Sequence, residues 1–208
     1  TLLALLGGCT PTGPDWRRVG APDSYRYRAT REGVTVAAQC WASSTRRKQL
    51  FRTDPGDEFL PVRLIVFNRS PHCVTFSYTR ARLDVADGTS LRALPPGRMA
   101  RRLQRGEAGA IIASVFLGGR MATAISGATE RENRRRRRAA RACSMELATI
   151  DPGETMTGFM FFELPDDDLR AALKQRPPTV RITHLPCQDG GDLQFSVRVP
   201  VADPAGTP

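Results

Sequence analysis

The sequence predicts a mainly β fold, an antiparallel sandwich interrupted by one helical insertion. Three observations lead there. Short apolar stretches of strand length alternate with turn signals through most of residues 32–200. The 16 prolines and 18 glycines supply those turns, and hydrophobic residues at 40 % suffice for one core in 208 residues. Only between residues 97 and 145 does the two-residue alternation give way to a four-residue rhythm.

Along the chain, residues 9–31 carry Pro11, Gly13, Pro14 and Pro22 and are predicted to form a tether. Gly33-Val34-Thr35-Val36-Ala37-Ala38-Gln39-Cys40-Trp41 alternates as a half-buried strand. Residues 46–58 are polar and contain the turn signal Asp54-Pro55-Gly56-Asp57. Phe59-Leu60-Pro61-Val62-Arg63-Leu64-Ile65-Val66-Phe67 is the strongest strand, and Asn68-Arg69-Ser70-Pro71 is expected to turn it onto a partner at residues 74–78. Residues 81–85 follow as a strand closed by Asp87-Gly88, and Leu94-Pro95-Pro96-Gly97 ends the first β block.

The second block begins near Met145. Asp151-Pro152-Gly153-Glu154 reads as a turn, and residues 156–162 as an apolar strand. Residues 166–175 suit a short helix, capped by an aspartate and stopped by Pro177-Pro178. Residues 179–183 and 193–199 alternate cleanly, joined as a hairpin through Pro186-Cys187-Gln188-Asp189-Gly190-Gly191. Residues 201–208 read as a flexible tail. Six or seven short strands with turns between them fit an antiparallel sandwich, immunoglobulin-like in the broad sense.

The insertion has two features. Gly106, Ala110, Ser114, Gly118, Ala122 and Ser126 recur every fourth residue, so a helix would gather them into a narrow smooth stripe. Such a stripe lets two helix backbones approach closely, and it resembles the glycine-zipper segments of bacterial envelope proteins. It suits a helical hairpin packed on itself and on the sandwich, or a surface for self-assembly or membrane contact. A spanning helix is disfavoured, because Arg120 would sit inside the bilayer at about 2.5–3.5 kcal/mol.

The second feature is charge. Residues 97–145 hold twelve arginines against Glu107, Glu130 and Glu132, which accounts for nearly all of the chain's net charge of +10. Arg131, Arg134, Arg135, Arg136, Arg137, Arg138 and Arg141 form the densest part, a candidate contact for anionic lipid or for an envelope protein partner. Guanidinium forks match phosphate oxygens. Nucleic acid is not expected as a partner, because no recognition motif accompanies the run.

At the other extreme of the chain, Leu2-Leu3-Ala4-Leu5 runs into Leu6-Gly7-Gly8-Cys9 and then a polar stretch rich in proline and glycine. An apolar segment closing on small residues is the pattern of an export signal. With a cysteine directly after the small pair, it resembles the lipobox of bacterial lipoproteins. That resemblance implies a truncated signal peptide at residues 1–8, cleavage before Cys9, and a covalent lipid on the Cys9 thiol. The lipid would be the membrane partner's anchor and the sole covalent group, with no other cofactor. Thr10, in place of an aspartate, implies the outer membrane, facing the periplasm.

The strand Leu60-Pro61-x-x-Leu64-x-Val66-x-Asn68, the Asp87-Gly88 strand end, Pro152-Gly153-Glu154 and Gly158-Phe159-x-Phe161-Phe162 are together similar to uncharacterised β-sandwich envelope lipoproteins of Gram-negative bacteria. The likeness covers about residues 33–200. It implies a fold and no catalytic motif.

The remaining residues argue against catalysis. There are two histidines, His72 and His184, and no nucleophile elbow, zinc-protease helix or phosphate-binding loop. His72-Cys73 and His184-x-x-Cys187 have zinc-ligand chemistry, but an exported chain favours disulfides over thiolate metal sites. Besides Cys9, the four cysteines Cys40, Cys73, Cys143 and Cys187 allow three pairings. Simple up-and-down strands would place Cys40, Cys143 and Cys187 near one end and Cys73 near the other. Cys40 is then expected to bond with Cys187 or Cys143. The sequence thus predicts a non-enzymatic, lipid-anchored envelope protein, or alternatively a self-assembling subunit that uses the stripe at 106–126.

Overall fold

Alternating and fully apolar strands in this chain build two antiparallel sheets around one core. A computed structural model describes residues 16–51, 58–86, 88–102, 134, 138 and 142–201. In chain order the strands are β1 (Arg28–Arg31), β2 (Val34–Cys40), β3 (Phe59–Asn68), β4 (Val74–Phe76), β5 (Ala81–Asp84), β6 (Ser90–Arg92), β7 (Ala148–Ile150), β8 (Thr155–Glu163), β9 (Thr179–Pro186) and β10 (Asp192–Arg198). The α-helices whose bounds fall wholly among the described residues are α1 (Ser44–Phe51), α2 (Pro96–Arg102) and α3 (Asp167–Gln175).

The first sheet has the order β1-β2-β3-β8, and the second the order β10-β9-β5-β6. A two-stranded ladder, β4-β7, stands beside them. Between the sheets Val36, Leu64, Phe162, Leu83, Ile182 and Phe195 meet in one buried cluster. The described residues therefore form a mainly antiparallel β-sandwich with few helices.

Every residue of β3 is buried. One face looks into the sandwich, and the other is covered by residues near the N-terminus, by α1 and by the segment around Cys143. Cover on both faces explains why β3 reads as a nearly continuous apolar run. By contrast β10, covered on one face, alternates strictly between exposed and buried.

Several elements differ from the sequence reading. β3 does not form a hairpin with β4. Its partners are β2 and β8, paired from Val62↔Cys40 and Phe59↔Glu163 onward. Asn68 turns the chain away: its buried carboxamide donates to His72 O at 2.8 Å and Ile150 O at 2.9 Å. β4 then pairs with β7 instead, Val74 opposite Ile150.

The expected tether is shorter, because residues 16–31 are folded onto the body. Tyr25 is buried, Trp16 and Val19 pack on the sheet, and β1 pairs with β2 through a two-residue turn. That turn, Glu32-Gly33, has φ of 47° and 80°, the paired positive values of a type I′ hairpin. A Cβ on Gly33 would also stand 3.0 Å from the Ser70 backbone.

The polar stretch after β2 contains α1, which the reading missed. Only Arg47 and Leu50 of its described side chains are buried, so it shows no apolar stripe to detect. α3 matches expectation: Asp166 Oδ1 accepts from Leu169 N at 2.8 Å, and the helix ends at Arg176 before the two prolines. The β9–β10 hairpin likewise falls where the alternation placed it.

Of the insertion, α2 opens it, residues 142 and 143 are helical at its return, and Arg134 and Arg138 are helical and exposed. The small-residue stripe at 106–126, Cys9 with the preceding signal-like segment, and residues 202–208 lie outside the described residues.

Candidate functional site

Among the described residues, the outer face of the first sheet gathers aromatic and basic groups. Alternation along β8 turns Phe159 and Phe161 outward while Met160 and Phe162 point into the sandwich. Trp41 extends β2, held by its N–H donating to Pro61 O at 2.9 Å. Phe159 is the hub. Trp41 meets it edge-on at 5.0 Å and 78°, Trp16 at 5.7 Å and 70°, and Phe161 stacks beside it at 6.2 Å and 21°. Leu50 of α1 completes the apolar floor.

Three chain segments meet on this floor. Trp16 brings the N-terminal segment. Met99, fully buried, brings the outgoing end of the insertion on α2, and Cys143 brings the returning end. The return is tight because residue 158 is glycine: a Cβ there would lie 2.6 Å from Met145 Cγ and 3.1 Å from Cys143 O. Met145 N–H donates to Phe159 O at 2.9 Å and locks the approach.

Positive charge surrounds the same face. Arg17 lies over the Trp16 ring at 5.2 Å, and Arg46 over Trp41 at 5.6 Å. Lys48 and Arg98 are exposed on α1 and α2, and neither helix contains an acidic residue. Inside the face, the buried Arg63 guanidinium donates to Arg18 O at 2.6 Å, Gln39 Oε1 at 3.2 Å and Thr157 Oγ1 at 3.2 Å. Arg63 thereby ties the N-terminal segment to β2, β3 and β8. Of the predicted anionic-surface arginines, Arg134 and Arg138 are described; Arg131, Arg135, Arg136, Arg137 and Arg141 lie outside the described residues.

Among the described residues no disulfide is formed, so neither expected bond from Cys40, to Cys187 or to Cys143, is present. Strand order explains why the expected pairs do not meet. Cys40 belongs to the cluster between the sheets and Cys143 to the cluster on the outer face, so β2, β3 and β8 separate them. Cys187 belongs at the opposite end of β2 from Cys40. It bridges to Val74, which pairs with Ile150, whose carbonyl is held by Asn68 opposite Val34. Six strand steps from Val34 to Cys40 span about 20 Å. Cys73, expected at the far end, is instead the neighbour of Cys187: Gln188 N–H donates to Cys73 O at 3.0 Å.

The thiols differ in chemistry. Burial pushes the Cys143 thiol up to about 12. Cys73 is raised chiefly by its hydrogen bond to Asp151 Oδ1, Sγ to oxygen 3.1 Å. Cys187 is raised by burial first, then by the carboxylates of Asp189, Glu32 and Asp192.

His72 Nε2 lies 3.5 Å from Asp189, and His184 Nδ1 contacts Asp192, so each histidine is engaged with a carboxylate of the β9–β10 hairpin. Among the described residues no group of three histidine, cysteine, aspartate or glutamate side chains is placed to hold a metal ion. Clefts of about 500 Å³ (beside Tyr78, Leu91, Leu94 and Arg98) and about 300 Å³ (beside Cys73 and Cys187) open at the surface. None of the described helices is long and apolar enough to cross a membrane.

Sequence reasoning missed the Trp16–Phe159–Trp41 hub. The available signal was a tryptophan and two tyrosines in a segment otherwise suited to a tether, since large aromatics rarely remain in water when a sheet face is open. No protein-family model matches this chain, and no curated protein matches it in sequence. Among solved structures, the yjhA protein of Bacillus subtilis is similar at a TM-score of 0.38 and 10 % identity, over 86 % of this chain and 98 % of that one. The ycdA protein of Bacillus subtilis, a proposed lipoprotein, is similar at a TM-score of 0.37 and 10 % identity, over 82 % of this chain and 38 % of that one.

Proposed function

We propose that this chain is a non-enzymatic envelope lipoprotein, anchored through a lipid on Cys9, whose sandwich holds a basic insertion against an anionic membrane surface. The observation that carries the reading is the meeting of Trp16, Met99 and Cys143 on one face. Seven residue steps lead from Cys9 to Trp16, a reach of at most about 25 Å. An anchor at Cys9 therefore keeps this face beside the bilayer, and both roots of the arginine-rich insertion stay with it. Each arginine near an anionic surface contributes about 1 kcal/mol, and a single acyl chain holds only marginally, so anchor and arm reinforce each other.

Thr10 supports the outer membrane as the destination, facing the periplasm. The two four-stranded sheets support an immunoglobulin-like sandwich, and the rhythm of residues 106–126 supports a helical hairpin within the insertion. That rhythm also favours a second reading, self-assembly through the small-residue stripe.

Two measurements test the proposal. Metabolic labelling with a palmitate analogue should mark the wild type and not Cys9→Ser. Full-length protein made without lipid should sediment with vesicles containing anionic phospholipid, and changing Arg134, Arg135, Arg136, Arg137 and Arg138 to glutamine should abolish this. Unlabelled wild type, or vesicle binding indifferent to the five changes, overturns it. Strong self-crosslinking at Ser114 or Ala122 with no vesicle binding selects assembly instead.

A further inference from the structure

The outer face of the second sheet lies across the sandwich from the Trp16–Phe159–Trp41 hub. Strand register lines up like charges there. Ser196 stands opposite Arg181, Arg181 opposite Arg82, and Arg82 opposite Arg92, so one row crosses all four strands with three arginines side by side. The adjoining row runs Arg198, Thr179, Asp84, Ser90. Adjacent strands are about 4.8 Å apart, so the three arginines occupy about 10 Å.

These side chains share one face. The Arg181 guanidinium holds Asp84, Nε to Oδ2 at 3.0 Å and Nη2 to Oδ1 at 3.2 Å, and Ser90 Oγ donates to Asp84 Oδ1 at 2.7 Å. Arg82 and Arg92 lie two residues from Asp84 and Ser90 on the same strands, so alternation puts them on that face too. Arg198 follows Ser196 by two in the strictly alternating β10. Asp84 is thus the single carboxylate in two rows that hold four arginines. Among the described residues, no carboxylate pairs with Arg82, Arg92 or Arg198. Like charges directly opposite one another destabilise a sheet, and an anion laid across the row relieves that repulsion.

We propose that this face docks a soluble anionic glycan, a sugar chain carrying sulfate, phosphate or carboxylate groups. Guanidinium forks grip the oxyanions. Beside them Thr179, Gln194 and Ser196 present hydroxyl and amide groups matched to sugar hydroxyls. The two rows contain no apolar or aromatic side chain. They therefore lack the apolar centre of a protein interface and the stacking rings of a single-stranded nucleic-acid site. A membrane held through Cys9 and the insertion meets the opposite side of the sandwich, where Trp16, Met99 and Cys143 gather. The glycan face stands whether or not Cys9 carries lipid.

The test titrates a sulfated heparin fragment into full-length unlipidated protein at physiological salt, with Arg134, Arg135, Arg136, Arg137 and Arg138 changed to glutamine so that the insertion contributes less. Adding Arg82→Gln, Arg92→Gln and Arg198→Gln should weaken binding about ten- to hundredfold and flatten its salt dependence. The urea midpoint should stay unchanged or rise, because the repulsion is gone, so lost binding is not lost folding. Changing Arg26, Arg31 and Arg69 to glutamine removes the same charge from exposed positions outside this face. That set should alter affinity less than about threefold, since screening isolates distant charges. Equal weakening by the two sets overturns the proposal, as does no measurable binding before either is introduced. A single-stranded oligonucleotide held more tightly than the heparin fragment, through the same arginines, overturns the glycan assignment. With the insertion intact, the three face changes should leave sedimentation with anionic vesicles unchanged; a loss there gives the face to the membrane and overturns the proposal.

Discussion

Trp16 stands edge-on to Phe159, ring centroids 5.7 Å apart and planes at 70°. This contact makes the first described residue of the chain part of the sheet's outer layer. It also places the N-terminal segment beside Met99 and Cys143, where the insertion leaves and rejoins the body. A chain tied down there cannot swing freely about a long linker.

Removing the ring should release that segment. An edge-to-face pair contributes about 0.5–1.5 kcal/mol, so Trp16→Ala should lower Tm by a few degrees, about 2–6 °C. Limited trypsin digestion should then cut sooner after Arg17 and Arg18, which are exposed but lie in the docked segment. Unchanged cleavage kinetics would mean that the ring does not hold it.

Asn68 is fully buried and saturates four partners: it donates to His72 O and Ile150 O and accepts from Ser70 N and Ser70 Oγ. Asn68→Ala strands those groups, at a cost of about 2–4 kcal/mol. Urea titration should show a lower midpoint with an unchanged slope. Asn68→Asp retains the acceptors and loses the donors, and should also destabilise.

Gly158 leaves room for the returning insertion rather than for an unusual backbone angle. A methyl group at Gly158→Ala meets Met145 Cγ at 2.6 Å and the Cys143 carbonyl at 3.1 Å. Overpacking of this kind costs about 1–3 kcal/mol. Shortening the neighbour, Met145→Ala, removes the closer of the two clashes. A double-mutant cycle should therefore give a favourable coupling, with the double variant more stable than the sum of single effects predicts.

Cys143 makes stability depend on alkaline pH. Its folded value of about 12 lies above the ordinary 9.0 because burial disfavours the thiolate. Between those values the unfolded chain loses a proton that the folded chain keeps, so stability declines as pH rises from about 9 toward 12 and levels off beyond. The full loss is about 4 kcal/mol. Cys143→Ala should flatten this part of the pH profile in urea titrations. Below pH 9 the thiol should resist alkylation until the protein unfolds.

What the sequence determined by itself is local. The Asp166 cap and the Pro177-Pro178 stop bound α3 because both act within a few residues. The β9–β10 hairpin followed from alternation across a short turn, and the apolar run of β3 marked it as the strongest strand. The tertiary structure decided everything that depends on strand order. β3 pairs with β8 across about ninety residues, and no local signal distinguishes that partner from β4. From that order follow the separation of Cys40 from Cys143 across a sheet, the approach of Cys73 to Cys187, and the outer face on which Trp16, Met99 and Cys143 gather. The physical reason is that backbone hydrogen bonds of a sheet are alike in every register. Which strands pair is chosen by how the whole chain buries its apolar faces.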